Sequence, residues 1–97
     1  MENQQIEVRH VPEEQRFEVR LENDVGFLSY TTHGGEVMLD HTYVPDAWRG
    51  RGIAAVLVKA AIAEARLRQW KVRPRCSYIV TYFQRHPECA DVLSSAR

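Results

Sequence analysis

From residue 16 to residue 22 polar and apolar side chains alternate without interruption, and Phe17, Val19 and Leu21 fall on one face. A period of two is what a half-buried strand requires. A shorter strand is expected over residues 6–10, ended by Val11-Pro12-Glu13-Glu14. Asn23-Asp24 supplies turn chemistry, residues 25–32 resume with β-branched and aromatic side chains, and Gly34-Gly35 marks a tight hairpin of the primed-turn kind. Residues 36–44 read as a further strand. Strict alternation puts Val37, Leu39, His41 and Tyr43 on one face and Met38, Asp40, Thr42 and Val44 on the other. A meander of antiparallel strands accounts for this half of the chain.

After Pro45 the period changes. Ile53, Val56, Leu57, Ala60, Ala61 and Leu67 recur at helical spacing, with Lys59, Arg66 and Gln69 opposite, which predicts a helix over residues 52–70. Its many alanines allow a close approach to a sheet. Residues 72–76 are short and β-like, with Pro74 tolerable only at an edge or a bulge. A strand that returns from a helix to the same sheet runs parallel to the strand before it, here residues 36–44. Ser77 is placed to cap a second helix that Pro87 ends, and Ile79, Val80, Tyr82 and Phe83 suit its buried face. Residues 88–97 read as a final turn and a frayed tail. The expected fold is therefore α/β (α+β), a mixed, mostly antiparallel sheet with one long crossover helix and a shorter C-terminal helix, forming a single domain over residues 1–97.

Length and charge narrow the function classes. Ninety-seven residues suffice for one core, and 13 basic residues balance 13 acidic ones. With no global field and the arginines dispersed, no nucleic-acid partner is expected, and any anion site must be local. No apolar run reaches membrane-span length, and residues 1–5 are polar, unlike a signal peptide. Two cysteines, Cys76 and Cys89, make neither a disulfide framework nor a zinc spacing, so no metal is expected and the cytoplasm is the expected compartment.

The local anion site is the stretch from Val44 to Ala54, Val-Pro-Asp-Ala-Trp-Arg-Gly-Arg-Gly-Ile-Ala. A glycine turn that opens a helix presents unpaired N–H groups where the peptide dipoles also favour negative charge. Arg49 and Arg51 add two cations, although an ordinary glycine turn with solvated arginines accounts for the same residues. A P-loop is excluded because no Gly-Lys-Ser/Thr follows. Gly50-Arg51-Gly52-Ile53-Ala54-Ala55 fits the loose dinucleotide fingerprint, but the further βαβ units of that fold do not follow.

Arg49-x-x-Gly52-x-Ala54, placed after a meander and opening a helix, resembles the acyl-CoA pyrophosphate loop of the GNAT acetyltransferases. His41-Thr42-Tyr43-Val44-Pro45, Cys76-Ser77-Tyr78-Ile79 and His86-Pro87-Glu88 extend the likeness to the short, stand-alone GNAT-like family of about one hundred residues, over residues 16–93. The resemblance implies a sheet splayed between its two parallel strands with acetyl-CoA, a cosubstrate, in the gap. It implies that the backbone of Arg49, Gly50, Arg51, Gly52, Ile53 and Ala54 holds the pyrophosphate while the pantetheine arm passes Val44. Two departures stand out. The helices that shape the acceptor site in larger relatives have no room here, and Tyr43 stands where the short family often has Glu.

Acyl transfer to an amine needs a proton acceptor, a polarised carbonyl and a proton for the leaving thiolate. Cys76 precedes a predicted helix, where a thiol pKa falls, and His41 on the facing strand could approach it as its base. Plain packing also accounts for a strand-end thiol and for a sheet-face histidine. Tyr78 and Tyr82 are candidate proton donors, Trp48 a candidate anchor beneath the glycine loop, and Trp70 a core residue. The leading expectation is acetyl-CoA-dependent N-acetyl transfer to an unidentified amine, through Cys76 and His41 as catalytic residues. The competing one is a CoA-binding or CoA-sensing module with no acceptor, and a partner-binding scaffold has no motif behind it. Oligomeric state leaves no mark on the sequence.

Overall fold

Strict alternation has its expected result in β2 (Arg16–Leu21): Phe17 and Val19 are buried on one face while Arg16 and Arg20 point to the other. The computed structural model describes residues 6–94; the polar residues 1–5 and the last three residues of the expected frayed tail lie outside it. β2 pairs with β1 (Arg9–Val11) and β3 (Asp24–His33), and β3 with β4 (Glu36–Tyr43), all antiparallel. Helix α1 (Ile53–Arg68) then crosses back, β5 (Lys71–Pro74) joins β4 in parallel, and α2 (Ser77–Arg85) follows. Spatial order equals sequence order, β1 to β5.

Several boundaries move for local reasons. The first strand sits at Arg9–Val11 rather than over residues 6–10, and a 3-10 turn at Pro12–Glu14 ends it. The β2–β3 turn is made by Glu22 and Asn23, both at positive φ (55° and 65°), the backbone a primed hairpin requires. Asp24 is thereby released to begin β3, and its carboxylate accepts the N–H of Val25 at 2.9 Å. Gly34 and Gly35 (φ 59° and 85°) form the second such hairpin, as expected. At the start of α2 the capping position belongs to Cys76, not Ser77.

Both helices lie on the face of the sheet that carries Phe17, Val19, Leu28, Tyr30, Val37 and Leu39, and one hydrophobic cluster joins them. The contribution of α1 is Ile53, Leu57, Val58, Ala61, Ile62 and Ala65. Leu67, expected on this stripe, is 77% exposed. An alanine-rich helix with apolar residues on most sides does not fix its own rotation; packing of the larger Val58 and Ile62 does. Glu18 and Met38 are also buried but lie outside this cluster, on the opposite face. Among the described residues no helix covers that face.

The sheet opens between β4 and β5. Their pairing ends at Leu39 and Pro74, with one further bond from the Arg75 N–H to the Leu39 carbonyl at 2.8 Å. Proline brings no N–H, and β4 bulges at the same level: Tyr30 pairs with Leu39 but Ser29 with His41, leaving Asp40 as an extra residue. Beyond the bulge β4 continues without β5 beside it. On the outer edge of β5 the Ser94 N–H bonds the Val72 carbonyl at 2.9 Å. No helix among the described residues is long and apolar enough to cross a membrane.

Candidate functional site

Beyond Tyr43 the chain turns through Pro45 into a 3-10 turn, Asp46–Trp48, and then the glycine loop. Trp48 is 1% exposed and anchors the loop from below, as its position suggested. It fits because β3 has a glycine beneath it: a Cβ on Gly26 would lie 3.1 Å from the indole and 3.0 Å from the Tyr43 carbonyl oxygen. Gly50 and Gly52 serve differently. Both have positive φ (83° and 75°), and an added Cβ would meet nothing within 4 Å. They are required by backbone conformation and leave open space above the loop.

Gly52 is the N-cap of α1 and has no side chain to cap it; the first helical bond runs from the Val56 N–H to the Gly52 carbonyl at 3.1 Å. The N–H groups of Ile53, Ala54 and Ala55 precede that bond and have no partner within the helix. They lie at a cleft of about 470 Å³. Of the residues expected to hold a cofactor, Val44, Arg49, Gly50, Gly52, Ile53 and Ala54 line it, together with Trp48 and Tyr78. Arg51 does not; its guanidinium reaches Glu22 at 3.3 Å. Nor does Arg49 bring a bare charge, since Asp46 pairs with it at 2.9 Å. That pair is highly exposed, so it is weak and an arriving polyanion can compete for the arginine.

Cys76 is not among the residues that line this cleft. Its sulfur lies 3.6 Å from the Thr42 hydroxyl, two residues before Val44 on the same strand. Burial pushes the thiol up, but the Ile79 N–H, the Thr42 hydroxyl and the N–H groups of Tyr78 and Thr42 outweigh it and leave the thiol below its usual range. The N–H groups of Tyr78 and Ile79 belong to the first turn of α2, a setting that favours a thiolate.

His41 does not face this thiol. Thr42 pairs with buried Leu28, whereas His41 pairs with Ser29 and its ring lies against Phe27 at 6.3 Å. Opposed residues of a ladder share a face, so Thr42 is on the helix side and His41 on the bare side. The expected grouping of His41 and Tyr43 with Val37 and Leu39 fails because the extra residue, Asp40, reverses the phase of everything after it. The two tyrosines are likewise separated. Tyr78 is at the cleft, and burial raises its pKa, so it keeps its proton at neutral pH. Tyr82 is buried and stacked on His86 at 4.1 Å, away from the cleft. Cys89 is buried in the core cluster, and Trp70 packs against that cluster beside Tyr30 and His10. Among the described residues no three His, Cys, Asp or Glu side chains are grouped to hold a metal.

Sequence reasoning passed over Thr42 and Gly26. An isolated glycine inside an alternating strand was the available signal for a close backbone approach. Nothing in the alternation marked Thr42, because the bulge moved it.

Residues 16–92 match the family model described as GCN5-related N-acetyl-transferase. Protein NATD1 of Gallus gallus and that of Mus musculus are each 40% identical to the chain over 85 residues, covering 84% of the chain and 77% of each relative. The solution structure of a GCN5-like protein from Staphylococcus aureus superposes with a TM-score of 0.74 at 24% identity, covering 94% of this chain and 90% of that one.

Proposed function

The chain belongs to the GCN5-related N-acetyltransferase family, and from that premise we propose that it moves an acetyl group from acetyl-CoA to an amine by way of Cys76. The observation that carries this reading is the uncapped N-terminus of α1 opening onto the cleft that ends at Tyr78. Free N–H groups, a helix dipole and the exposed Arg49 suit a diphosphate. The apolar wall of Val44, Trp48 and Ile53 suits a pantetheine arm. Acetyl-CoA would supply an activated acyl group as a thioester.

In this reading the Cys76 thiolate bonds to the acetyl carbon as the bond from that carbon to the CoA sulfur breaks, and the CoA sulfur takes the Tyr78 proton. The acceptor ammonium gives one proton to His41 on arrival; its nitrogen then bonds to the same carbon, Cys76 leaves as a thiolate, and the second nitrogen proton returns to the Tyr78 phenolate. Placing Cys76 and His41 on opposite sides of the sheet suits two half-reactions better than it suits a thiol–imidazole pair. One observation favours a second reading, a CoA-binding module: without its imidazole the Cys76 thiol lacks an adjacent base.

Two measurements test the proposal. Calorimetry should show acetyl-CoA binding that Gly52→Val weakens at least about tenfold, since a β-branched residue resists positive φ and shifts the amides. Mass spectrometry after mixing with acetyl-CoA should find acetyl on the Cys76 peptide. Unchanged binding in Gly52→Val rejects the loop as the diphosphate cradle. Turnover without an adduct, surviving in Cys76→Ala, rejects the covalent route. Intact binding with no turnover for any amine supports the second reading.

A further inference from the structure

The bare face of the sheet is not uniformly polar. Where the splay begins, Phe27, His41 and Tyr43 form an aromatic group, with Phe27 5.7 Å from Tyr43 and 6.3 Å from His41 between ring centroids. Tyr43, the last residue of β4, is 46% exposed. The Arg16 guanidinium lies 5.0 Å from the Phe27 centroid, where Glu18 neutralises it at 3.0 Å. The exposed rings of the group are those of His41 and Tyr43.

Beside this group stands the bulge residue. One oxygen of Asp40 accepts the Thr31 hydroxyl at 2.9 Å. The other has the Arg75 guanidinium at 3.8 Å, outside hydrogen-bond distance. Thr31 pairs with Met38 across the ladder, which places Asp40 on the bare face with His41. The bulge thus sets a carboxylate and an imidazole side by side at the mouth of the splay, and the next outward residue is Tyr43. Two strand residues span about 6.6 Å.

We propose that this patch is the acceptor site, and that it takes a primary amine carried two or three bonds from a flat apolar ring. The proposal rests on the acetyl-transfer reading and specifies its acceptor. The ammonium group meets the Asp40 carboxylate, His41 takes the first of the two protons that nitrogen must lose, and the ring lies on Tyr43 and the edge of Phe27. The cofactor cleft is entered from the helix side, so the bare side is the direction from which a second reactant reaches the splay without crossing it. An amine two or three bonds from a ring spans roughly the two-residue step along the strand from His41 to Tyr43. A polyamine or an acidic amine has no use for the ring surface.

Calorimetry with acetyl-CoA comes first, because a protein that does not bind it fails the underlying reading whatever its acceptor. Given binding, kcat/KM for 2-phenylethylamine should exceed that for spermidine and for glutamate by about tenfold or more. Tyr43→Ala should raise the KM for 2-phenylethylamine about 2- to 10-fold, Tyr43→Phe should restore it, and acetyl-CoA affinity should stay as it was in both. Asp40→Asn should raise the same KM, and NMR titration with 2-phenylethylamine should shift the amides of residues 40–43 and of Phe27. Equal rates for the three amines, or a KM indifferent to Tyr43→Ala, overturns the acceptor site while leaving acetyl-CoA binding in place. Binding of acetyl-CoA with no turnover of any of the three overturns it as well.

Discussion

Residues 36–39 of β4 have a strand on each side, whereas residues 40–43 keep β3 and lose β5. The first half is packed: Val37, Met38 and Leu39 are all buried. In the second half, His41 and Tyr43 are exposed, and Thr42 turns its N–H and hydroxyl to the sulfur of Cys76 instead of to a strand. One continuous strand therefore carries stability at one end and reactive groups at the other. The boundary is a single extra residue, Asp40, just past the Leu39–Pro74 pair, where a proline cannot continue the ladder. Backbone groups left over at a splay must find partners, and those partners are where a substrate can compete.

The sharpest way to break this contrast is to remove core from the first half. Leu39 is 1% exposed and touches the cluster beneath both helices. Leu39→Ala should cost about 2–5 kcal/mol, the sum of lost transfer free energy and the cavity left behind. Urea unfolding measures it. At temperatures where the variant stays folded, acetyl-CoA affinity should be unaltered; a parallel loss of affinity would show that the halves are not separable.

A smaller effect is expected just behind the second half. Gly26 lies against the Tyr43 carbonyl and the Trp48 ring, and the first of these is backbone with little room to yield. Gly26→Ala should destabilise by about 1–3 kcal/mol. Unlike Leu39→Ala, it should also weaken acetyl-CoA binding, because Trp48 supports the glycine loop. Calorimetry on the folded variant separates the two contributions, and full affinity would show that the loop does not depend on its anchor.

The same boundary separates what could be read from the sequence from what could not. Period-two patterning identified β2 and the buried half of β4, because those residues answer to one core face. The glycine loop was legible, since positive φ at Gly50 and Gly52 and the change of period at Ile53 are properties of the local chain. His41 was placed on the wrong face by counting alternately through a bulge that no turn residue or glycine announces. Leu67 was assigned to the core because periodicity does not choose among the faces of an alanine-rich helix. Local sequence presents Arg49 and Arg51 only as two cations beside the turn; their pairing with Asp46 and Glu22 belongs to the folded chain. Long-range partners are set by tertiary packing, which local patterns do not contain.

The smallest change concerns only the chemistry of the second half. Thr42→Val keeps the volume of the side chain and removes the hydroxyl next to Cys76. Its stability cost should be modest, on the order of 1 kcal/mol for one hydrogen bond. The effect on the thiol has a definite sign. The hydroxyl and the amides favour the thiolate over the thiol, so losing the hydroxyl raises the Cys76 pKa toward its ordinary value. At any pH below that value the variant has less thiolate, and alkylation by iodoacetamide, read on the Cys76 peptide, should slow accordingly. The pH–rate curve should move to higher pH with its plateau nearly unchanged, since the plateau reports the fully ionised sulfur. Buried Cys89 provides the internal control and should react at the same rate in both proteins. A curve that stays in place would mean that the backbone amides alone set the ionisation of Cys76, and that Thr42 serves the splay only as filling.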